Sequence, residues 1–237
     1  MTMDRRRFLE VSGASVTAAM LSACNSLGPE SARGLLRHAE KKNEQVERFL
    51  LRDSSMDRVR SSAANAGDRF PSYFVSPTMP VWDPAVRGAW TLQVDGAVRK
   101  PVRLTLEQLS ALPRRTQKVN HYCVDGWTAV ATWSGTRVSD LARIVEPTAD
   151  AQYVDFASFD SDYHESWDLE SAMHPQTLIA YAMDDAMLGP KHGAPARLHS
   201  PIKLGYKSTK YLVRVTFMPA RNGGYWTDRG YDWFAGT

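Results

Sequence analysis

The sequence predicts a mixed α+β domain, and three observations carry that expectation. Short runs of alternating apolar and polar residues recur from Trp90 to Phe217, bounded by Gly, Pro and Asp turn signals. The helical stretches between them are short and scattered, so strands do not alternate with helices as βαβ units require. No internal repeat or low-complexity segment is visible.

Taken in order, residues 25–68 are polar and charged. The stretch from Glu30 to Arg60 reads as a helix with Leu35, Leu36, Val46, Phe49 and Leu50 near one face, a spacer or packing arm. From Phe70 to Pro77 the chain is extended and proline-bounded. Trp90, Leu92 and Val94 alternate as a strand ending at Asp95-Gly96, and Val102 and Leu104 continue in β register. Thr105 with Gln108 forms a capping box that opens a short helix through Leu112.

Arg114 to Val124 is the next strand, and Thr128 to Trp133 continues it after a turn. Val138 to Val145 is a second short helix, followed by a strand from Tyr153 to Phe159. A helix from Leu169 to Met173 and a strand from Leu178 to Met183 flank His174-Pro175. Ala196 to Leu198 and Tyr211 to Phe217 are further strands, and the tail from Asn222 onward is aromatic and glycine-rich without period. The resulting division is 1–24 a targeting segment, 25–68 a polar helical spacer and 69–237 the main domain.

At 237 residues the chain can bury a sizeable core. A net charge of +3 with no accompanying nucleic-acid motif excludes a DNA- or RNA-binding role. The N-terminus carries Arg5-Arg6-Arg7-Phe8-Leu9 before an apolar run from Val11 to Ala23 that is too short and too rich in Ser, Gly and Thr to span a bilayer stably. It resembles a twin-arginine export signal, with Asp4 and Glu10 departing from the usual flanks. Leu21-Ser22-Ala23-Cys24 looks like a lipobox, where cleavage and acylation of Cys24 would anchor the protein to a membrane. Twin-arginine export carries folded proteins, often with a cofactor inserted, so the expected location is periplasmic.

With Cys24 consumed in this way, Cys123 has no disulfide partner, and the lone thiol needs its own explanation. It is a buried core cysteine, a nucleophile activated by histidine, or a soft ligand to a metal. Its position at a strand end before Asp125-Gly126 displays it toward a cleft. Trp127 and Trp133 nearby suggest a walled, water-poor pocket.

A second constellation runs from His192 to Lys210 and holds His192, Arg197, His199, Lys203, Lys207, Ser208 and Lys210. Glycines and prolines break it up, leaving backbone N–H groups free to face a ligand, and cations with free amides suit a phosphate-bearing cofactor. There is no GxGxxG opening a helix, no Walker loop, no HExxH, no CxxCH and no Fe–S cysteine set.

Cys123-Val124-Asp125-Gly126-Trp127 with Trp133-Ser134-Gly135 resembles the molybdenum-ligating segment of the sulfite oxidase-fold molybdopterin enzymes. It is closest to the bacterial branch that includes the periplasmic protein-methionine-sulfoxide reductase catalytic subunit. His192-Gly-Ala-Pro-Ala-Arg197 and Gly205-Tyr-Lys-Ser-Thr-Lys210 match that family's pterin-binding segments in order and spacing, and Gly223-Gly-Tyr-Trp226 and Gly230-Tyr-Asp-Trp233 its closing segment. The resemblance runs from about Phe70 to the end of the sequence.

The resemblance implies a sulfite oxidase-type α+β domain with a mixed, barrel-like sheet and one molybdenum-molybdopterin. Cys123 would be the one protein ligand to the metal, with the pterin dithiolene and oxygen supplying the rest. His192, Arg197, Ser208, Thr209 and Lys210 would hold the pterin and its phosphate. Ser158 falls where the family has a cofactor-contacting Thr or Ser, and Tyr73, Phe74 and Val75 correspond to an aromatic segment over the pterin. Tyr231 falls where sulfite oxidases keep a tyrosine beside the metal-bound oxygen, either as a proton donor or for packing.

The sequence departs from sulfite oxidase in lacking an arginine after Cys123, since Val124 to Val130 is neutral except for Asp125. An anion such as sulfite would lose its main charge partner, which favours reduction of a neutral S-oxide or N-oxide by oxygen-atom transfer. The alternatives are a sulfite-oxidising enzyme of the same fold, a lipid-anchored binding protein on a metal-free version of it, and a zinc or cysteine hydrolase using Cys123 with His121 or His192. No haem segment is present, so electrons would come from a membrane b-type haem protein or a soluble cytochrome.

Overall fold

The computed structural model describes residues 30–50 and 63–237, so the export signal and lipobox at 1–24, and residues 51–62 of the expected helix, lie outside the described residues. Its contacts divide the chain into two units with the boundary after Phe49. Helix α1 (Glu30–Leu50) carries an i,i+4 pair between Glu44 and Arg48 at 2.9 Å. The apolar positions expected on one face, Leu35, Leu36, Val46, Phe49 and Leu50, are all exposed. Among the described residues no helix is long and apolar enough to cross a membrane.

Among the described residues the second unit has ten strands in two sheets. The first contains β1 (Thr91–Gly96), β2 (Val102–Thr105), β5 (Tyr153–Ser158), β6 (His164–Asp168) and β10 (Leu212–Met218), in the order β2-β1-β10-β5-β6. Strands β1 and β10 are parallel and the other pairs antiparallel, so this sheet is mixed. The second sheet runs β3-β4-β7-β8, from β3 (Arg114–Tyr122), β4 (Thr128–Arg137), β7 (Leu178–Met183) and β8 (Ala186–Met187), with β9 (Arg197–His199) paired to β7. The barrel-like arrangement is therefore met as two sheets that share no strand.

Among the described residues of this unit, a short helix α2 (Pro84–Arg87) precedes β1, and three more, α3 (Leu106–Ser110), α4 (Val138–Val145) and α5 (Leu169–Met173), join strands. The Thr105 capping box forms, with Gln108 N–H donating to Thr105 Oγ1 and Thr105 N–H to Gln108 Oε1. Asp168 caps α5 by accepting from Ser171 N–H at 2.8 Å. In α4 the buried carboxylate of Asp140 takes Arg137 at 2.8 Å and Arg143 at 2.5 Å, fixing the entry of the helix against β4.

Alternation along the strands explains the core. Leu92 and Val94, Val154 and Phe156, and Val215 and Phe217 turn one face of the mixed sheet onto Leu141 and Val145 of α4. A second cluster packs Val119, Ala131, Trp133, Leu178 and Ala180 against Phe70. Each of these larger side chains contributes about 1.5–3 kcal/mol on burial. The sheet closes tightly at Gly135, where a Cβ would lie 2.6 Å from Ala180 Cα.

Candidate active site

The β3–β4 hairpin delivers Cys123. Its last pair is Tyr122 with Thr128, and the turn between them is closed by Cys123 N–H to Trp127 O and Gly126 N–H to Cys123 O, both at 3.0 Å. Gly126 sits at φ 86°, where a side chain would be strained, which is why the Asp-Gly signal works here. Cys123 is a free thiol, partly buried, on the wall of a cavity of about 490 Å³. It also edges a second cavity of about 420 Å³, bounded by Tyr122, Ile202 and Leu204.

One wall of the larger cavity is the segment from Phe70 to Val75. Asp160 holds it by accepting the N–H groups of Val75 at 2.9 Å and Ser76 at 3.0 Å, and Ser158 Oγ in turn accepts from Asp160 N–H at 2.9 Å. The ring of Tyr73 lies 6.4 Å from that of Trp127 in a stacked arrangement. Tyr225, Trp226 and Tyr231 also line the cavity, with Tyr231 against Trp226 at 5.0 Å and Tyr206 at 5.3 Å. Of the two tryptophans expected as walls, Trp127 lines the cavity, whereas Trp133 is fully buried behind it.

The remaining surface is cationic. His192, Arg197, Ser208 and Lys210 all face the cavity. Arg197 is buried and donates only to carbonyls, those of His192 at 3.2 Å and of Leu198 and Ser208 at 3.3 Å; among the described residues it has no ion pair. Burial lowers its pKa to about 10, only partly offset by Tyr211 and Tyr163. Burial and the Arg197 charge likewise bring Lys210 down to about 7, against the opposing pull of Asp160.

His192 falls to about 4 and His121 to about 3, in each case through burial first and nearby cations second, so both imidazoles are neutral. Burial also raises the Cys123 thiol, with Asp125 adding to the rise and backbone N–H groups opposing it. The thiol's hydrogen-bond partner is Asp125 at 3.6 Å and not an imidazole. A histidine-activated nucleophile needs the opposite arrangement. Among the described residues no three His, Cys, Asp or Glu side chains converge on one point, so a metal bound to Cys123 must complete its shell with other groups.

Three members of the basic stretch serve the fold instead. Lys207 Nζ is 2.7 Å from Glu165 Oε2, and Lys203 Nζ is 2.7 Å from Phe234 O and 3.4 Å from Asp168. His199 stacks on Trp133 at 4.2 Å. Their charges or rings are paired with partners far away in sequence, which the local composition does not show. Thr209 is fully buried and does not reach the cavity. Conversely, sequence reasoning missed Asp160, Tyr163 and Tyr211, and treated His121 only as a partner for a nucleophile. His121 was recoverable from its inward alternation with Val119 on β3.

A phosphorylated heteroaromatic group fits this cavity. Its surroundings hold buried polar atoms that have no hydrogen-bond partner among the described residues, Ser208 Oγ, Tyr211 Oη, His121 Nδ1 and Trp127 Nε1, beside two cations that repel each other until an anion joins them. Gly205 is needed for this close packing, since a Cβ there would lie 2.6 Å from His121 Nε2.

The family model described as "Oxidoreductase molybdopterin binding domain" matches residues 78–226, a range that includes Cys123, Ser158, His192, Arg197 and 208–210 but not 73–75 or Tyr231. A protein of Azospira oryzae named as a protein-methionine-sulfoxide reductase subunit, YedZ1, is 33% identical over 98% of this chain and 88% of its own length. Protein-methionine-sulfoxide reductase catalytic subunits MsrP from Campylobacter jejuni and Ralstonia nicotianae are each 30% identical over 58% of this chain. The match spans 52% and 46% of their lengths, about half of each. The crystal structure of the sulfane dehydrogenase SoxCD from Paracoccus pantotrophus shares the fold, with a TM-score of 0.53 at 21% identity over 55% of this chain and 38% of that one.

Proposed function

The chain belongs to the oxidoreductase molybdopterin-binding family, and from that membership we propose that it is a molybdenum enzyme reducing an S-oxide, free or protein-bound, by oxygen-atom transfer. The observation that carries this reading is that one cavity joins the lone thiol of Cys123 to the buried cations Arg197 and Lys210. When bound, the molybdenum cofactor supplies the oxygen acceptor and the two-electron chemistry. The overall conversion takes a sulfoxide, two electrons and two protons to a thioether and water.

The chain's own residues do the rest. Cys123 Sγ would hold the metal as a soft thiolate ligand. Arg197 and Lys210 would neutralise the cofactor's phosphate and Ser208 would help orient it, and neutral His192 and His121 would offer ring nitrogens to the pterin without adding charge. Ser158 steadies Asp160, and through it the 73–76 segment is held over the cleft. Tyr231, which is exposed and lines the cavity, would be the proton donor in this reading, its other role being to pack against Trp226 and Tyr206.

The substrate end of the cleft favours a neutral molecule. Val124 and Asp125 flank the thiol, and much of the cavity lining is aromatic. A sulfite-sized dianion would meet a carboxylate there, whereas a sulfoxide presents a dipole and apolar groups that suit tyrosine and tryptophan. We further propose export by the twin-arginine route, anchoring through lipid on Cys24 at the periplasmic face, and a membrane haem protein or soluble cytochrome as electron donor. The Arg5-Arg6 motif, the lipobox and the subunit naming of the relative from Azospira oryzae support this.

The test is a viologen-driven screen of methionine sulfoxide, dimethyl sulfoxide and trimethylamine N-oxide, with sulfite oxidation run in parallel. Turnover of a sulfoxide with negligible sulfite oxidation is the expected result. Efficient sulfite oxidation with no sulfoxide turnover would reverse the assignment.

A further inference from the structure

Strand β6 puts a carboxylate where a core residue belongs. Glu165 and its partner Lys207 are both fully buried, with Nζ 2.7 Å from Oε2. Glu165 Oε1 also accepts Trp226 N–H at 2.9 Å, and Oε2 accepts Thr227 Oγ1–H at 3.3 Å. Its backbone bridges to Gly224, and a Cβ on Gly224 would run into the carboxylate, so glycine is needed for the approach.

The next residues of β6 reinforce both contacts. Ser166 bonds Gly223 O through its N–H at 3.2 Å and its hydroxyl at 2.5 Å, and Trp167 Nε1 donates to Lys207 O at 3.1 Å. One side chain thus touches two segments that meet at the cleft. On one side lies the loop from Gly205 to Lys210, with Ser208 and Lys210 on the cavity surface. On the other lies the wall carrying Tyr225, Trp226 and Tyr231.

A buried ion pair adds little stability over well-packed apolar residues of similar volume. What an apolar pair cannot do is accept two hydrogen bonds from the wall while fixing a cation of the cofactor loop. We propose that Glu165 is a positioning residue that locks the aromatic wall to the cofactor loop, so that substrate affinity depends on a buried charge which never meets the substrate. This rests on the reading that Tyr225, Trp226 and Tyr231 face the sulfoxide.

The experiment compares the holoenzyme with Glu165→Gln, Lys207→Met and the double variant. It measures hydrogen exchange of 205–210 and 223–231, molybdenum per chain, and KM and kcat for methionine sulfoxide. In Glu165→Gln both segments exchange faster while the rest of the domain is unchanged, and KM rises about tenfold with kcat per molybdenum within about twofold. The double variant regains thermal stability without regaining KM.

Faster exchange in one segment alone, or spread evenly through the domain with KM unchanged, overturns the proposal. Loosening of both segments with KM unchanged overturns the dependence of substrate affinity on Glu165 and leaves sulfoxide reduction itself standing, whereas loss of sulfoxide turnover in the parent protein overturns the proposed function, so the two readings fail separately. If Glu165→Gln does not accumulate, Thr227→Val removes one bond while leaving the charge pair, and the same pattern is expected at smaller size.

Discussion

The guanidinium of Arg197 lies 4.9 Å from the centre of the Trp133 ring, held between an aromatic face and backbone carbonyls, and among the described residues no carboxylate pairs with it. Those contacts offset only part of the cost of burying the charge, and a ligand anion would offset more. Arg197→Met is therefore expected to fold with unchanged or higher thermal stability without the cofactor. In vivo cofactor occupancy should fall by about tenfold or more, the scale of one charge-assisted contact. Pterin and molybdenum analysis of the purified variant checks it. Arg197→Lys keeps the charge but not the fork, and restores occupancy only in part.

Lys210 gives the anion site a pH dependence. With its pKa brought to about 7, it carries charge below that pH and loses it above, whereas His192 at about 4 and His121 at about 3 stay neutral throughout. Sulfate keeps its charge across this range and serves as a probe of the cofactor-free protein. Calorimetry should show sulfate affinity falling as pH rises from about 6 to about 8, with Lys210→Met binding weakly and without the slope.

Stability has a separate pH dependence at His164. Its ring bonds Asp155 at 2.8 Å, and that bond raises its pKa above the ordinary histidine value despite opposing burial. A group raised on folding contributes fully below its unfolded pKa of about 6.5 and loses the contribution as pH climbs through the folded value. The pair is partly exposed, so the effect is about 0.2–1 kcal/mol. Thermal unfolding should show Tm declining above about pH 6.5, with the decline reduced in Asp155→Asn.

Gly205→Ala tests the packing beneath the cofactor loop. The new methyl would meet the His121 ring and lie 3.2 Å from the Tyr122 carbonyl, two groups on the strand that carries Cys123. The expected cost is about 1–3 kcal/mol, with loss of cofactor retention. Denaturant unfolding and metal analysis read the two effects separately.

The strands were legible where one face is buried. Leu92 and Val94, or Val154 and Phe156, alternate as a half-buried sheet must, and the Thr105 box and the Asp125-Gly126 turn announce themselves by residue type. Strand β6 is hidden in the sequence, because four of its five residues are buried and three of those, Glu165, Ser166 and Asp168, are polar. Their burial is possible only through partners tens of residues away, such as Lys207 and Gly223.

For the same reason the basic stretch promised more ligand-facing cations than it holds. Sequence shows where charge is and not which carboxylate a fold brings to it. Lys207 and Lys203 are turned inward, while Arg197 and Lys210 are left for the cleft. Asp160 escaped notice because its role is to hold Val75 and Ser76, which it reaches only in three dimensions.

The most direct test of the account counts sulfur neighbours at the metal. X-ray absorption at the molybdenum edge should find one sulfur fewer in Cys123→Ser than in the parent protein, with the pterin retained and sulfoxide reduction abolished. An unchanged sulfur count in the variant, or a parent protein loaded with cofactor but without molybdenum, would contradict it.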